Sequence, residues 1–349
     1  MSKKSSLKVV TDKNDKGNKK TNRPFSVEEL KTFYKEMLTI RRFEEKAAQM
    51  YSAGLMGGFC HLYIGQEAVV TGIKAASKPE NDYSITSYRC HAHAISCGVD
   101  PKQVMAELTG RSGGISKGKG GSMHMFDPEK GFFGGHGIVA AQIPLGTGLA
   151  FAAKYRGEDR VCVAYAGDGA MNGGQVYEAF NMAKLWDLPV LYIVENNRYG
   201  MGTSTARASG MNEFYKRGES FGIQGERVDG MDFFAVYYAA KRAMDHIRAG
   251  KGPFLLEMET YRYRGHSMSD PAKYRTKEEV EEMRGKHDPI TNLAVILQEE
   301  YDISQDELKD WDKAIKETVK DAAEFAETSP EPDVSELWTD IVPADKGSK

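Results

Sequence analysis

The chain has no long hydrophobic run and no excess of basic residues. Its longest apolar stretches are far shorter than the ~20 residues that a membrane-spanning helix requires. The 349 residues include 47 Lys and Arg against 50 Asp and Glu, which gives a formal net charge of −3. Proteins that bind nucleic acid usually carry a clear basic excess. The composition therefore predicts neither a membrane nor a nucleic acid as a partner.

Cysteine is scarce, and its spacing does not match the usual cysteine-based sites. The chain has four cysteines, and no two of them form a C-x-x-C pair: Cys60, Cys90, Cys97 and Cys162. Cys162 lies within an apolar run. The pattern favours buried, reduced thiols in a cytosolic protein over a disulfide framework.

The N-terminus does not have the features of a targeting sequence. Residues 1–25 are rich in lysine and nearly free of large apolar side chains, so they contain no hydrophobic segment of a secretory signal. They also carry acids and little arginine, unlike a mitochondrial transit peptide. We predict that residues 1–25 form a disordered arm, a solvated tail rather than a basic docking arm. A cytoplasmic location is favoured over the mitochondrial matrix.

Residues 26–345 are predicted to form one α/β domain with a helical C-terminal extension. Helix starts are marked by capping residues at four positions: Ser26, Asp100, Thr276 and Ser304. A short strand is predicted at residues 84–88. Small residues over 137–155 predict a buried helix, which follows a glycine-rich loop at 110–121.

The middle of the chain alternates between apolar strands and helices. Strands are predicted at residues 161–167, 189–195 and 253–261, and helices at 175–186 and 233–249. The strands are continuous apolar runs, as expected when helices cover both faces of a parallel sheet. The fold class is therefore α/β with a doubly wound, mostly parallel sheet. Ligands in such folds bind at the carboxyl ends of the strands.

Two polar clusters follow neighbouring strands of this sheet. Asp168 stands between two glycines just after the first strand, and Asn196 and Asn197 come just after the next. Both clusters should meet at one edge, where a helix N-terminus favours phosphate. Carboxylate and amide oxygens suit Mg²⁺, which usually keeps substrate phosphates among its ligands. The clusters predict a site for a diphosphate held through magnesium.

Other interpretations of these motifs are weaker. A lone G-D-G or N-N is often only a turn, but the two together after apolar strands are specific. The stretch "GGISKGKGG" nearly matches a P-loop, yet Gly120 stands where a hydroxyl residue is needed and a helix precedes the loop. His91 and His93 could bind metal on a strand or loop. Ordinary hydrogen-bonded histidines are favoured, since no third ligand is clustered with them.

The motif "GDGAMNGG…ENNRYGMGTS" is similar to the thiamine diphosphate motif. Further stretches support the likeness: "GFCHLYIGQEA", "SYRCHAH", "GKGGSMHMF", "GGHGIVAAQIPLG" and "YRYRGHSMSDPAKYRT". Over roughly residues 25–324 the chain resembles the alpha subunits of the thiamine diphosphate-dependent 2-oxo acid dehydrogenases, and most closely the pyruvate dehydrogenase (acetyl-transferring) type. The resemblance implies oxidative decarboxylation of pyruvate, with thiamine diphosphate and Mg²⁺ as cofactors.

The resemblance also implies a role for each matching residue. Mg²⁺ would be bound by the side chains of Asp168 and Asn197 and by the carbonyl of Tyr199. The rest of the cofactor would be held at seven further positions: Gly169, Ala170, Tyr88 and Arg89 at the diphosphate, Gly137 and Val139 at the aminopyrimidine, and His266 over the cofactor. His61 would face pyruvate, so His61 and His266 are the implied catalytic residues. Met171, Gly173 and His136 depart from the family pattern without replacing an inferred ligand.

The resemblance implies that the chain works with partners. The glutamate that activates the aminopyrimidine comes from a second domain in thiamine enzymes, and only one doubly wound unit is predicted here. A beta subunit would supply it in an α2β2 heterotetramer, and the acetyl group would pass to the lipoyl group of a dihydrolipoyl acetyltransferase. In "GHSMSDP", Met268 favours the pyruvate type over the branched-chain type, and the Ser267 pattern favours it over acetoin-cleaving relatives. A catalytically silent binding subunit is the alternative from another class.

Overall fold

Six parallel strands form the central sheet of the computed structural model, which describes residues 23–78 and 80–341. The predicted arm at 1–25 therefore lies mostly outside the described residues. The strands are β1 Tyr83–Ser87, β2 Phe132–His136, β3 Cys162–Gly167, β4 Val190–Asn196, β5 Tyr199–Gly200, β6 Thr203–Ser204, β7 Gln224–Asp229 and β8 Phe254–Glu259. The central sheet has the order β2-β1-β3-β4-β8-β7, and β5 and β6 form a small antiparallel hairpin.

Helices flank the sheet and extend the chain at both ends. They are α1 Val27–Ser52, α2 Glu67–Ala76, α3 His91–Ser96, α4 Pro101–Leu108, α5 Gln142–Tyr155, α6 Gly174–Leu185, α7 Thr205–Ala208, α8 Phe233–Arg248, α9 Lys277–His287, α10 Pro289–Tyr301 and α11 Gln305–Thr328. None of the helices described is long and apolar enough to cross a membrane. The capping boxes at Ser26 and Ser304 are confirmed.

Both faces of the sheet are covered, as the sequence predicted. Successive strand residues point to opposite faces, so Val163 and Tyr165 pack towards α2 and α8. Ala164 and Ala166 pack towards α5 and α6. The doubly wound parallel fold is confirmed. From β1 the chain continues to β2 on one side, and it then crosses to β3 on the other side of β1. The direction in which successive strands are added to the sheet therefore reverses between β1 and β3. Such a switch point opens a crevice at the carboxyl ends of the two strands.

The buried helix expected at 137–155 differs from the structure in two ways. It begins only at Gln142, since Ala140 has a φ of 70°, which a right-handed helix excludes. It is also not fully buried, because Leu145, Phe151 and Tyr155 are exposed along one face. The small residues of this segment therefore serve close packing on one side only.

Two edge strands were not predicted. β2 reads "FFGGH" and β7 reads "QGERVD", and neither is a continuous apolar run. Each of these strands pairs with a neighbour on one side only. A strand at the edge of the sheet therefore does not need a continuous run of apolar residues. The expected strand at 84–88 is present one residue earlier as β1.

The histidines His91 and His93 lie on helix α3, so their placement on a strand or loop was wrong. The expectation that they are hydrogen-bonded is confirmed. His91 Nδ1 lies 2.9 Å from Glu44 Oε2 and its Nε2 lies 2.8 Å from Ser122 Oγ. All four cysteines are free, and Cys60, Cys90 and Cys162 are buried.

The glycine-rich loop after α4 uses its backbone donors internally. Glu107, fully buried, accepts hydrogen bonds from the backbone N–H groups of Ser116, Gly118, Gly120 and Gly121 at 2.7–3.1 Å. A Cβ on Gly114 would lie only 2.3 Å from Glu107 Oε2, so the loop closes tightly around the carboxyl group. The donors that a phosphate would need are thus already engaged, which confirms that the loop is not a P-loop.

Glu107→Gln should destabilise the fold. The glutamine presents a donor to loop N–H groups that need an acceptor, and a buried unsatisfied polar group costs about 1–3 kcal/mol. We expect the free energy of unfolding, measured by chemical denaturation, to fall by that amount. Glu317→Gln on α11 is the matched control, because its side chain is 64% exposed, and should change stability by less than about 0.5 kcal/mol. Equal stability of both variants would contradict the account of the loop.

Candidate active site

A cavity of about 200 Å³ lies at the carboxyl ends of β1, β3 and β4. This is the crevice that the switch point between β1 and β3 creates. Its walls are formed by Ser87, Tyr88, Arg89, Val139, Ala140, Gln142, Gly167, Asp168, Gly169, Ala170, Glu195, Asn197, Tyr199, Arg262 and His266. Nine of the eleven residues that the sequence assigned to the site line this cavity.

Asp168 supplies a buried carboxyl group at the end of β3. The strand ends at Gly167, and a short 3-10 turn over Asp168–Asn172 leads towards α6. Asp168 is 4% exposed, and burial raises its pKa to about 6, while Arg262 opposes the rise. A carboxylate removed from water in this way gains from a cation beside it.

Asn197 and Tyr199 present oxygens to the same point. Arg262 Nη1 donates to Asn197 Oδ1 at 2.6 Å and to the Tyr199 carbonyl oxygen at 2.8 Å. Asn197 Nδ2 donates to Gln66 Oε1 at 3.1 Å. The two predicted ligand oxygens therefore converge on a positive group, and a carboxyl group lines the same cavity. Oxygen donors of this kind fit Mg²⁺.

Arg89 adds positive charge to the wall of the cavity. This residue follows β1 and is 5% exposed, and its guanidinium donates to the carbonyls of Leu62 at 2.6 Å and His266 at 2.9 Å. Burial, and then the charge of Arg262, lowers its pKa to about 10. The cavity wall thus carries two buried arginines, with the carboxyl groups of Asp168 and Glu195, and burial raises the pKa of both acids. This balance favours an anion in the cavity.

Two histidines and a tyrosine form an aromatic cluster, of which Tyr88 and His266 line the cavity. The ring of His61 lies 4.4 Å from that of Tyr88 and 5.2 Å from that of His266. Burial, with the charge of Arg89, lowers the pKa of His61 to about 2 and that of His266 to about 4. Both rings are therefore neutral at pH 7. The Nδ1 atom of each has no hydrogen-bond partner among the described residues, so each can accept or donate a hydrogen bond.

Two of the residues assigned from sequence are not on the cavity wall. His61 lies behind Tyr88 and His266 rather than on the lining. Gly137 lies near His124, since a Cβ added to it would be 3.1 Å from the His124 Cε1 atom. Its neighbour Val139 does line the cavity, and the Val139 carbonyl accepts from Gln175 Nε2 at 2.9 Å.

Six lining residues were not assigned to the site from the sequence: Ser87, Ala140, Gln142, Gly167, Glu195 and Arg262. Gln142 donates to the Tyr165 carbonyl at 2.9 Å, and its buried Oε1 has no hydrogen-bond partner among the described residues. Glu195 accepts from the Tyr63 hydroxyl, and burial raises its pKa to about 7. Glu195 could have been assigned to the site from its position, since it is a charged residue at the end of an apolar strand and directly precedes Asn196.

Comparison with known proteins identifies the family. The sequence model described as "Dehydrogenase E1 component" matches residues 35–335. The "Pyruvate dehydrogenase E1 component subunit alpha" of Rhizobium meliloti is 63% identical over 318 residues, 91% of each chain. That of Rickettsia bellii is 56% identical over 319 residues, covering 91% of this chain and 97% of the relative. The human somatic mitochondrial form is 50% identical over 314 residues, covering 90% and 79%. The chain belongs to the dehydrogenase E1 component family.

Proposed function

We propose that the chain is the alpha subunit of a pyruvate dehydrogenase. It would decarboxylate pyruvate with thiamine diphosphate and reductively acetylate the lipoyl group of a dihydrolipoyl acetyltransferase, which feeds acetyl-CoA synthesis. The observation that carries the proposal is one cavity at the sheet edge. It combines the oxygens of Asp168, Asn197 and Tyr199 with the cationic Arg89 and the neutral His266.

The cofactor would be held mainly by charge. Asp168, Asn197 Oδ1 and the Tyr199 carbonyl would bind Mg²⁺, and Mg²⁺ would bind the diphosphate. Arg89 is buried in the same cavity wall and carries a charge at pH 7, so it would balance the remaining negative charge of the diphosphate. The hydroxyl of Tyr88 would donate a hydrogen bond to the same group. Gly169 and Ala170 would line the same group.

Bound thiamine diphosphate would supply the electron sink for the loss of carbon dioxide from the 2-oxo acid. The histidines would do the protein's part of the chemistry. The imidazoles of His266 and His61 are neutral because burial beside Arg89 disfavours their charged forms. A neutral imidazole can donate a hydrogen bond to a carbonyl oxygen of the substrate. The aromatic cluster also excludes water from this end of the cavity.

A beta subunit would complete the site. Apolar side chains on α5 and α6 form an exposed face, here called the α5–α6 face: Leu145, Phe151, Tyr155, Met182, Leu185 and Trp186. Ile138, 74% exposed, and Val139 extend apolar surface to the mouth of the cavity. Contiguous apolar surface of this kind usually marks a protein interface. An α2β2 assembly would cover it and bring the missing aminopyrimidine contacts to the cofactor.

The identity of the substrate is the most specific part of the proposal. Met268 packs against the core cluster that contains Cys60 and Tyr263, and its backbone N–H donates to the Cys60 carbonyl at 2.9 Å. The preference for pyruvate rests on the resemblance of the motif "GHSMSDP", in which Met268 follows His266 by two residues. Branched-chain 2-oxo acids and acetoin are the alternatives. A cytoplasmic location stays a prediction from the sequence.

The purified chain alone should not turn over pyruvate, because one wall of the cofactor site would be missing. Co-purification with the beta subunit should restore decarboxylation in the presence of thiamine diphosphate and Mg²⁺. The assay compares pyruvate, 2-oxobutyrate, branched-chain 2-oxo acids and acetoin, and pyruvate should be preferred. Robust turnover by the isolated chain would contradict the need for a partner. Preference for another of these substrates would show that the chain belongs to a different substrate type of the same family.

Asp168→Ala should abolish retention of the cofactor. Removing one partner of a buried charge pair costs about 3–5 kcal/mol, which is about two to four orders of magnitude in affinity. Asn197→Ala should weaken binding less, since it loses a neutral oxygen. Cys162→Ala is the control, because it lies on β3 away from the cavity and should bind normally. Calorimetry on the α/β assembly ranks the three variants, and normal binding by Asp168→Ala would show that the magnesium assignment is wrong.

A further inference from the structure

The side-chain amide of Asn197 is useful to a cation in only one of its two orientations. Its oxygen attracts a metal ion, whereas its NH₂ group repels it, and the two groups are nearly equal in size. Asn197 is 7% exposed, so water does little to select the orientation. Its neighbours must therefore decide which atom faces the cavity.

Arg262 provides that selection. Its guanidinium has five N–H donors and no acceptor, and its Nη1 lies 2.6 Å from Asn197 Oδ1. A flipped amide would place its NH₂ group against this donor. Gln66, which is fully buried, accepts from Asn197 Nδ2 at 3.1 Å, but a glutamine can itself rotate by 180°. Arg262 cannot present an acceptor in any orientation, so it is the group that sets the amide.

The same arginine nitrogen also holds the second predicted ligand. Arg262 Nη1 donates to the Tyr199 carbonyl at 2.8 Å, so one nitrogen brackets two ligand oxygens. Each carbonyl-type oxygen has two lone pairs, and one remains for a metal ion. Arg262 is 2% exposed, and its position is fixed further by Nη2, which lies 3.3 Å from the Met201 carbonyl.

A second branch of hydrogen bonds connects Arg262 to the loop that carries His266. Arg262 Nη2 donates to the Tyr274 hydroxyl at 3.2 Å, and that hydroxyl donates to Asp270 Oδ2 at 2.7 Å. The same Asp270 oxygen accepts from the backbone N–H of His266 at 2.6 Å. The predicted metal ligands and His266 therefore share one buried anchor.

We infer that Arg262 is a positioning residue that holds Asn197 Oδ1 and the Tyr199 carbonyl towards the divalent cation and ties them to the His266 loop. The inference rests on the proposed function, since it assigns those oxygens to Mg²⁺. The inference predicts the direction in which metal affinity changes when Arg262 is removed. A cation that merely competed for the site would weaken metal binding, so its removal would tighten it. Removal of a positioning residue should instead weaken metal binding. Loss of the hydrogen-bond partner of a metal ligand typically lowers metal affinity by about 10–100-fold.

The test measures Mn²⁺ as a probe for Mg²⁺, by electron paramagnetic resonance on the co-purified α/β assembly with thiamine diphosphate. Arg262→Gln should weaken Mn²⁺ binding by about 10–100-fold. Arg207→Lys is the control, because that side chain is exposed on α7, and it should bind as wild type. Unchanged or tighter binding by Arg262→Gln would overturn the inference. Failure of the wild-type assembly to bind Mn²⁺ at all would instead overturn the proposed function.

A rescue variant separates positioning from general damage to the fold. Asn197→Asp has two equivalent oxygens and no orientation to set, so it should raise Mn²⁺ affinity far more in the Arg262→Gln background than in wild type. Equal gains in both backgrounds would contradict the positioning role. Tyr274→Phe keeps the contacts of Arg262 with Asn197 and Tyr199 and cuts the other branch. It should leave Mn²⁺ binding within about twofold while speeding proteolysis of residues 262–275, and unchanged proteolysis would overturn the link to the loop.

Discussion

Burial of charge at one edge of a parallel sheet is the constraint on which the rest of the structure depends. Arg89, Asp168 and Arg262 are each at most 5% exposed, and the cavity lies between them. Removing such charges from water costs several kcal/mol for each ion unless partners compensate. The arginines obtain part of that compensation from carbonyl oxygens, and a magnesium-bound diphosphate would supply the remainder. Burial, together with the charge of these arginines, lowers the pKa values of His61 and His266 and keeps both rings neutral.

The fold brings these charged residues together around one cavity. Parallel strands bring all their carboxyl ends to one edge, so residues distant in sequence meet there. Asn197 and Arg262 are 65 residues apart in the chain, yet they lie 2.6 Å from each other. The exposed α5–α6 face begins next to this edge and leaves one side of the cavity open to a partner. Family membership, the cavity and the apolar face thus agree with a subunit that works in an assembly.

The sequence predicts the central strands well, because β3 and β4 are apolar runs that both faces of the sheet require. It does not predict β7, whose polar residues are tolerated at an edge. Asp168 and Asn197 were identifiable because each follows such a run. Arg262 was not, since a charged residue between two tyrosines carries no local sign of its long-range contacts. The late start of α5 depends on the left-handed backbone of Ala140, which the small residues around it do not reveal.

In the proposed site, a divalent cation joins the protein oxygens to the diphosphate. Calorimetric titration of the co-purified α/β assembly with thiamine diphosphate, with and without Mg²⁺ after removal of bound metal, measures whether the cofactor needs this cation. Without a divalent cation, Asp168 and the diphosphate would repel each other across the cavity, so tight binding should require Mg²⁺ and return when it is added. Equal affinity for thiamine diphosphate in the presence and absence of the metal would contradict the account.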